Sequence, residues 1–321
     1  MADTTHLDKL LQGKKIWNDW RLAYPAVQPD LSGVDFASFR FSHAGELRTD
    51  FDDWQSINLA GVNLQKTTLN VFDLKEANLK GADLSWANIA GVDLEDADLS
   101  DAVLVGTNAS DVSLRHANLQ RCDFSRSNLT LSCLLGAQFE KTVFAEADLS
   151  GALLEGVDLS YSNLRAAKLN MTILGQANLQ EAHLEDAELI GVYLSRANLQ
   201  GAYLRKATFA RPSDEWYTSL GGNPGDADLS GANLERADLQ QADLRKVYLV
   251  GTNFTRANLS GADLSEANFV QIGKSMVPDE SKRNFGIIVF QGANLSHADL
   301  RGVDLTGVDL SEAILDGAIF E

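Results

Sequence analysis

One position in every five is apolar from Leu59 to Phe209, and the count never slips. Of these 31 positions 25 are Leu, and the exceptions are Ile89, Ala109, Phe124, Phe139, Phe144 and Phe209. Two residues before each stands a small or β-branched residue, usually Ala, Val, Ser or Thr, with Cys122 tolerated and Ile57 and Phe72 as bulky exceptions. The residue between them is most often Asp or Asn, as in Ala82-Asp83-Leu84-Ser85-Trp86. A period of five suits neither a helix, whose faces recur every 3.6 residues, nor a strand, which alternates by two. It suits a chain that turns a corner every fifth residue, with two side chains pointing in and three out. Four such sides close a square, so residue n should stack on the residue twenty further on. The backbone then pairs with the coils above and below as in a parallel ladder, which makes a solenoid.

Segments such as Ala147-Asp148-Leu149-Ser150-Gly151 and Ala262-Asp263-Leu264-Ser265-Glu266 carry the pattern A(D/N)LXX. In this the chain resembles the pentapeptide-repeat family. The resemblance covers most of the chain and implies an all-β solenoid, a right-handed quadrilateral β-helix. It leaves the task open, because the family hosts several unrelated roles and a fold does not confer a function.

Around the repeats, residues 1–29 read as a helical cap. Leu7, Leu10, Leu11, Trp17, Trp20 and Tyr24 fall at helical spacings, Gly13 is placed to split the run, and Pro25 ends it. Over residues 1–30 four acidic residues balance four basic ones, so a cover for the first coil is favoured over a membrane-seeking helix. Residues 30–321 read as the β-helix, opened by Asp30-Leu31, Asp35-Phe36 and Arg40-Phe41. Loops interrupt it at about 42–56, 211–225 and 271–287, where the period fails.

Motifs that carry chemistry are not found. The five histidines (His6, His43, His116, His183, His297) share no stacked column, and the sequence holds no P-loop, nucleophile elbow, HExxH or dinucleotide fingerprint. Cys122 and Cys133 sit at repeat positions and form neither a CxxC pattern nor a disulfide framework. The expectation is a protein without catalytic residues, cofactor or metal. No apolar run approaches a membrane span and the start lacks a leader-like segment, so a soluble, cytoplasmic protein is expected, with no membrane contact.

Two binding roles remain. The first is a scaffold that binds another protein, of unknown identity, through β-helix faces and protruding loops. The second follows from the resemblance: quinolone-resistance and related topoisomerase-targeting members mimic duplex DNA and bind gyrase, a type II topoisomerase. About 12 coils would make a rod roughly 57 Å long, and duplex DNA of that length carries about 33 phosphate charges. Of the formal net charge of −18, the repeats supply −15, under half that density. The scaffold reading therefore comes first. The negative charge also makes direct nucleic-acid binding unexpected.

The candidate contact lies on the side centred on Leu74, Leu94, Leu114, Leu134, Leu154, Leu174 and Leu194. Its outward residue changes from Asp73, Asp93 and Ser113 to Cys133, Leu153, Ile173 and Tyr193. If the second loop uses up no side, Tyr248 joins this stripe above Asp228, and both later loops flank it. The expected partner-binding residues are Leu153, Ile173, Tyr193 and Tyr248, with Trp216, Tyr217, Met276 and Phe285 from the loops. The last coil reads as uncapped, with Ile314 and Ile319 in the normally polar position and Phe320 beside them. Ile314, Ile319 and Phe320 are accordingly expected to join two copies as a homodimer.

Overall fold

The structure, a computed structural model, describes residues 2–39, 54–70, 72–211, 225–269 and 286–321. It divides into two units, Met1–Leu153 and Leu154–Glu321. Each is a right-handed quadrilateral β-helix built on the five-residue period. Within a repeat the small and the large apolar residues are buried, while the residue between them and the two that follow face outward. Each side contributes one bridge residue, paired in parallel with the residue twenty before and twenty after, as in Asn58–Asn78–Asp98. Around Asn78 the ladder is made by its own N–H donating to the Ile57 carbonyl at 2.9 Å and by the Leu79 N–H donating to Asp98 at 2.7 Å.

The corner explains the repeat chemistry. The N–H of Ala77 donates back to the Leu74 carbonyl at 3.1 Å and closes a turn, with Glu76 in the left-handed region at φ 55°. The Asp or Asn between the two inward residues accepts the N–H two residues later. Asp83 takes that of Ser85 at 3.0 Å and Asn78 that of Lys80 at 3.2 Å. This is the Asx turn that those residue types favour. Several of the outward Asn amides also reach the coil before. In the second unit Asn178 donates to Asp158, Asn198 to Asn178, Asn233 to Asn198 and Asn253 to Asn233, at 3.0, 3.0, 3.3 and 3.0 Å.

Inside, the large residues stack in columns. Phe124 lies on Phe144 with ring centroids 5.3 Å apart, and Phe254 on Phe290 at 5.3 Å. Cys122 occupies a small-residue position because its thiol can act like a hydroxyl. Its Sγ donates to the Leu99 carbonyl at 2.8 Å, as Thr107 Oγ1 donates to Leu84 at 2.7 Å. Burial pushes the Cys122 thiol up to about 12, so it stays protonated and unreactive.

At the N-terminal end, helices α1 (Thr4–Leu11) and α2 (Lys14–Ala23) break at Gly13, whose φ of 106° an L side chain rarely adopts. Asp30 and Asp35 form an incomplete coil, bridging Asn63 and Thr68. Over the Asn58 side α2 takes the place of the missing strand. Trp17 Nε1 donates to the Asn58 carbonyl at 2.7 Å, the Asn58 N–H donates to Asn18 Oδ1 at 2.9 Å, and Arg21 Nη2 donates to the Ala60 carbonyl at 2.7 Å. The first loop also ends earlier than the period suggested. Trp54 is already an inward residue: it is 4% exposed, its N–H donates to Asp73 at 3.0 Å, and its ring stacks on Phe72 at 3.9 Å. Its aromatic identity had hidden it among the loop residues.

The two later interruptions are insertions that leave the register intact. Across the first, Asn198 pairs with Asn233, an offset of 35 in place of 20; across the second, Asn258 pairs with Asn294, an offset of 36.

Candidate protein-binding surface

In the second unit, Ile173, Tyr193, Asp228, Tyr248 and Asn268 form one outward column, each bridged to the next. Tyr248 thus falls above Asp228 on the side of Ile173 and Tyr193. The chain re-enters that side at Ala227-Asp228 and makes its last described residue there at Phe269. Both insertions therefore attach to this side, one before Asp228 and one after Asn268. Trp216, Tyr217, Met276 and Phe285 lie outside the described residues. Ile173, Tyr193 and Tyr248 are half-buried, and Asp228 divides the two tyrosines. Tyr193 leans back across Gly175, where a Cβ would come within 2.9 Å of the ring. The ring therefore lies along the sheet, showing one face.

Leu153 belongs to the first unit. It is 40% exposed and ends the column Asp73, Asp93, Ser113, Cys133, Leu153. Arg115 Nη1 stands 3.2 Å from the Cys133 sulfur in that column.

The opposite side of the second unit, whose outward column is Asn163, His183, Tyr203, Asp238 and Asn258, carries a polar cluster. His183 and Tyr203, twenty residues apart, stack with centroids at 4.6 Å and planes within 7°. Arg165 Nη2 lies 3.1 Å from His183 Nδ1 and 2.7 Å from Glu185 Oε1. His183 Nδ1 also lies 3.1 Å from Glu185 Oε1, so the tautomer decides whether this nitrogen accepts from Arg165 or donates to the carboxylate. Burial pushes the Glu185 carboxyl upward, but the hydrogen bonds from Arg165, the backbone and His183 outweigh it and leave Glu185 below the usual range. Arg205 is more loosely held, its Nε 3.9 Å from Asp238.

Corners add exposed aromatics. Trp86, 59% exposed at φ 61°, lies on Gly106, where a Cβ would meet the ring at 2.5 Å. His116 covers Gly136 in the same way. A glycine twenty residues after a bulky corner residue is thus a legible sign that the corner side chain lies against the next coil.

Among the described residues, no group of three or more His, Cys, Asp and Glu side chains is placed to hold a metal ion. No described helix is long and apolar enough to cross a membrane.

A family model described as Pentapeptide repeats matches in 8 copies over residues 57–96, 93–130, 132–170, 172–210, 232–271 and 288–321. No curated protein matches the chain. Among solved structures, the chain is similar to HetL, a pentapeptide repeat protein involved in heterocyst differentiation regulation from the cyanobacterium Nostoc sp. strain PCC 7120. That match has 28% identity over 83% of this chain and 86% of that one, with a TM-score of 0.34. It is also similar to QnrB1, a plasmid-mediated fluoroquinolone resistance protein, with 21% identity over 70% and 91% of the two chains and a TM-score of 0.30. A third, Rfr23 from the cyanobacterium Cyanothece 51142, has 21% identity over 53% and 95%, with a TM-score of 0.19. The repeat match spans most of the sequence and agrees with the ladder side by side: the chain belongs to the pentapeptide-repeat family.

Proposed function

We propose that the chain is a non-catalytic scaffold, acting in the cytoplasm, that binds another protein through the side carrying Ile173, Tyr193 and Tyr248. The observation that supports it is that one insertion attaches where the chain enters that side, before Asp228, and the other where it leaves, after Asn268. Long insertions in a regular frame are where binding residues concentrate, and tyrosine supplies contact area at small entropic cost. Trp216, Tyr217, Met276 and Phe285, which belong to the two insertions, are part of the proposed contact. A photo-crosslinking residue at Tyr248 should capture a partner, whereas the same residue at Asn258 should not. Equal labelling at both positions would defeat the assignment.

DNA mimicry is the second reading, and local ion pairing weighs against it. Arg121 pairs with Asp101, Arg126 with Glu146 and Arg301 with Asp299, which interrupts any run of negative charge. Supercoiling by purified gyrase, with and without a quinolone, separates the two. No effect at micromolar protein removes the topoisomerase reading.

A homodimer through the last coil completes the proposal. Ile314, Ile319 and Phe320 are 50%, 46% and 40% exposed. Light scattering should give a dimer mass that Ile319→Asp reduces to a monomer's.

A further inference from the structure

The last coil of the second unit is attached along two sides and parted along the other two. Ile314 and Ile319 bridge Asn294 and Asp299, with the Leu295 N–H donating to Ile314 at 2.8 Å and the Leu300 N–H to Ile319 at 2.7 Å. In the same register Asp309 belongs beneath Val289. Among the described residues, neither Asp304 nor Asp309 makes a bridge. The Val289 segment is itself firmly placed, because its other edge is laddered to the coil before. The Phe254 N–H donates to Val289 at 2.8 Å and the Arg256 N–H to Gln291 at 2.8 Å. Its second edge faces a cavity of about 410 Å³. Ile288, Val289 and Phe290 form one wall, and Asp309, Ser311 and Glu312 the other. Were the coil closed, the Phe290 N–H would meet the Asp309 carbonyl as Leu295 meets Ile314; no such bond is made among the described residues.

A rigid strand edge with an unmet donor calls for another strand, since only an extended backbone offers donors and acceptors at the ladder spacing. The opposite wall selects its charge. Asp309 and Glu312 line it without a basic residue, and Asp309 is held ionised by the Ser311 N–H at 2.9 Å. Acidic polymers are therefore disfavoured. We propose that this parted ladder is a β-augmentation site, in which an extended, basic segment of a partner polypeptide pairs with the Val289–Phe290 edge and sets Lys or Arg against Asp309 and Glu312. It lies on a different side of the coil from Tyr248 and does not depend on the contact proposed there.

The probe is the labelled peptide acetyl-Lys-Val-Lys-Val-Lys-Val-Lys-amide, followed by fluorescence anisotropy and by amide hydrogen exchange. In the free chain, Phe290 should exchange at least about ten-fold faster than Leu295, and saturating peptide should remove that difference. Asp309→Lys with Glu312→Lys should weaken binding about ten-fold or more, and the peptide with Glu for Lys should not bind. A Val289→Cys and Asp309→Cys pair, oxidised, should close the gap and abolish binding, with reductant restoring it; this arm uses one protein and is unaffected by folding differences between variants. A Phe290 amide as protected as Leu295 in the free chain would show that the coil closes on itself and would overturn the site. So would peptide binding that the disulfide leaves unchanged, or no binding at millimolar peptide.

Discussion

The Asn58 side at the start of the first unit and the Asp309 side at the end of the second pose the same problem, a ladder interrupted at a coil. They are handled oppositely. At Asn58 three side chains of α2 supply what a preceding coil would supply: an indole N–H, an amide oxygen and a guanidinium, each within 2.9 Å of its backbone partner. Arg21 is buried to do so, and burial lowers its pKa without removing its charge. At Asp309 the wall opposite the edge consists of carboxylates and a hydroxyl, and the segment from Val303 to Leu310 keeps its inward residues only half-buried. A strand edge is thus closed by well-placed side-chain donors or acceptors, whereas proximity of the next coil alone does not close it.

The largest expected effect comes from making the first end resemble the last. Trp17→Ala removes a fully buried ring and the donor to Asn58, and should cost about 3–5 kcal/mol. Because each coil touches only its neighbours, hydrogen exchange should show the loss at residues 57–68 first, with the coil around Leu134 keeping its protection. A uniform loss along the first unit would mean that α2 does more than close an edge.

Arg21→Met keeps much of the packing but strands the Val27 and Ala60 carbonyls, which it reaches at 2.6 and 2.7 Å. Urea unfolding should report a loss of about 1–3 kcal/mol. A neutral outcome would show that water satisfies that edge, erasing the contrast between the two ends.

An interior coil gives the reference value for one ladder contact. Asn198→Ala removes the acceptor of Asn233 and the acceptor of the Gln200 N–H, and should cost about 1 kcal/mol by thermal unfolding. If it costs as much as Trp17→Ala, side-chain ladders outweigh capping in holding the coils.

The smallest effect is pH-dependent. Glu185 titrates below its ordinary value in the folded chain, so its contribution is present above the unfolded value of about 4.3 and is lost as pH falls through the folded one. Arg165→Met should therefore reduce stability by under about 1 kcal/mol at pH 7 and by nothing below the folded pKa. A loss that is constant with pH would assign Arg165 a packing role.

The repeat was legible because every element of it is local. Five residues contain the inward pair, the Asx acceptor and the turn, so Leu79, Asn78 and Glu76 could be placed from their spacing alone. The same counting placed Tyr248 in the column of Tyr193, above Asp228, across an insertion, because an insertion that preserves pairing leaves the count of sides unchanged. Trp54, the α2 side chains on Asn58, the His183–Tyr203 stack and the parted ladder at Asp309 required the tertiary structure. These are long-range pairings: a donor forty residues away satisfies an edge, or two rings meet because a period of twenty stacks them. Sequence determined the side on which each residue of the repeat stands. Only the packed chain determined which edges are closed, since that depends on groups the period does not place.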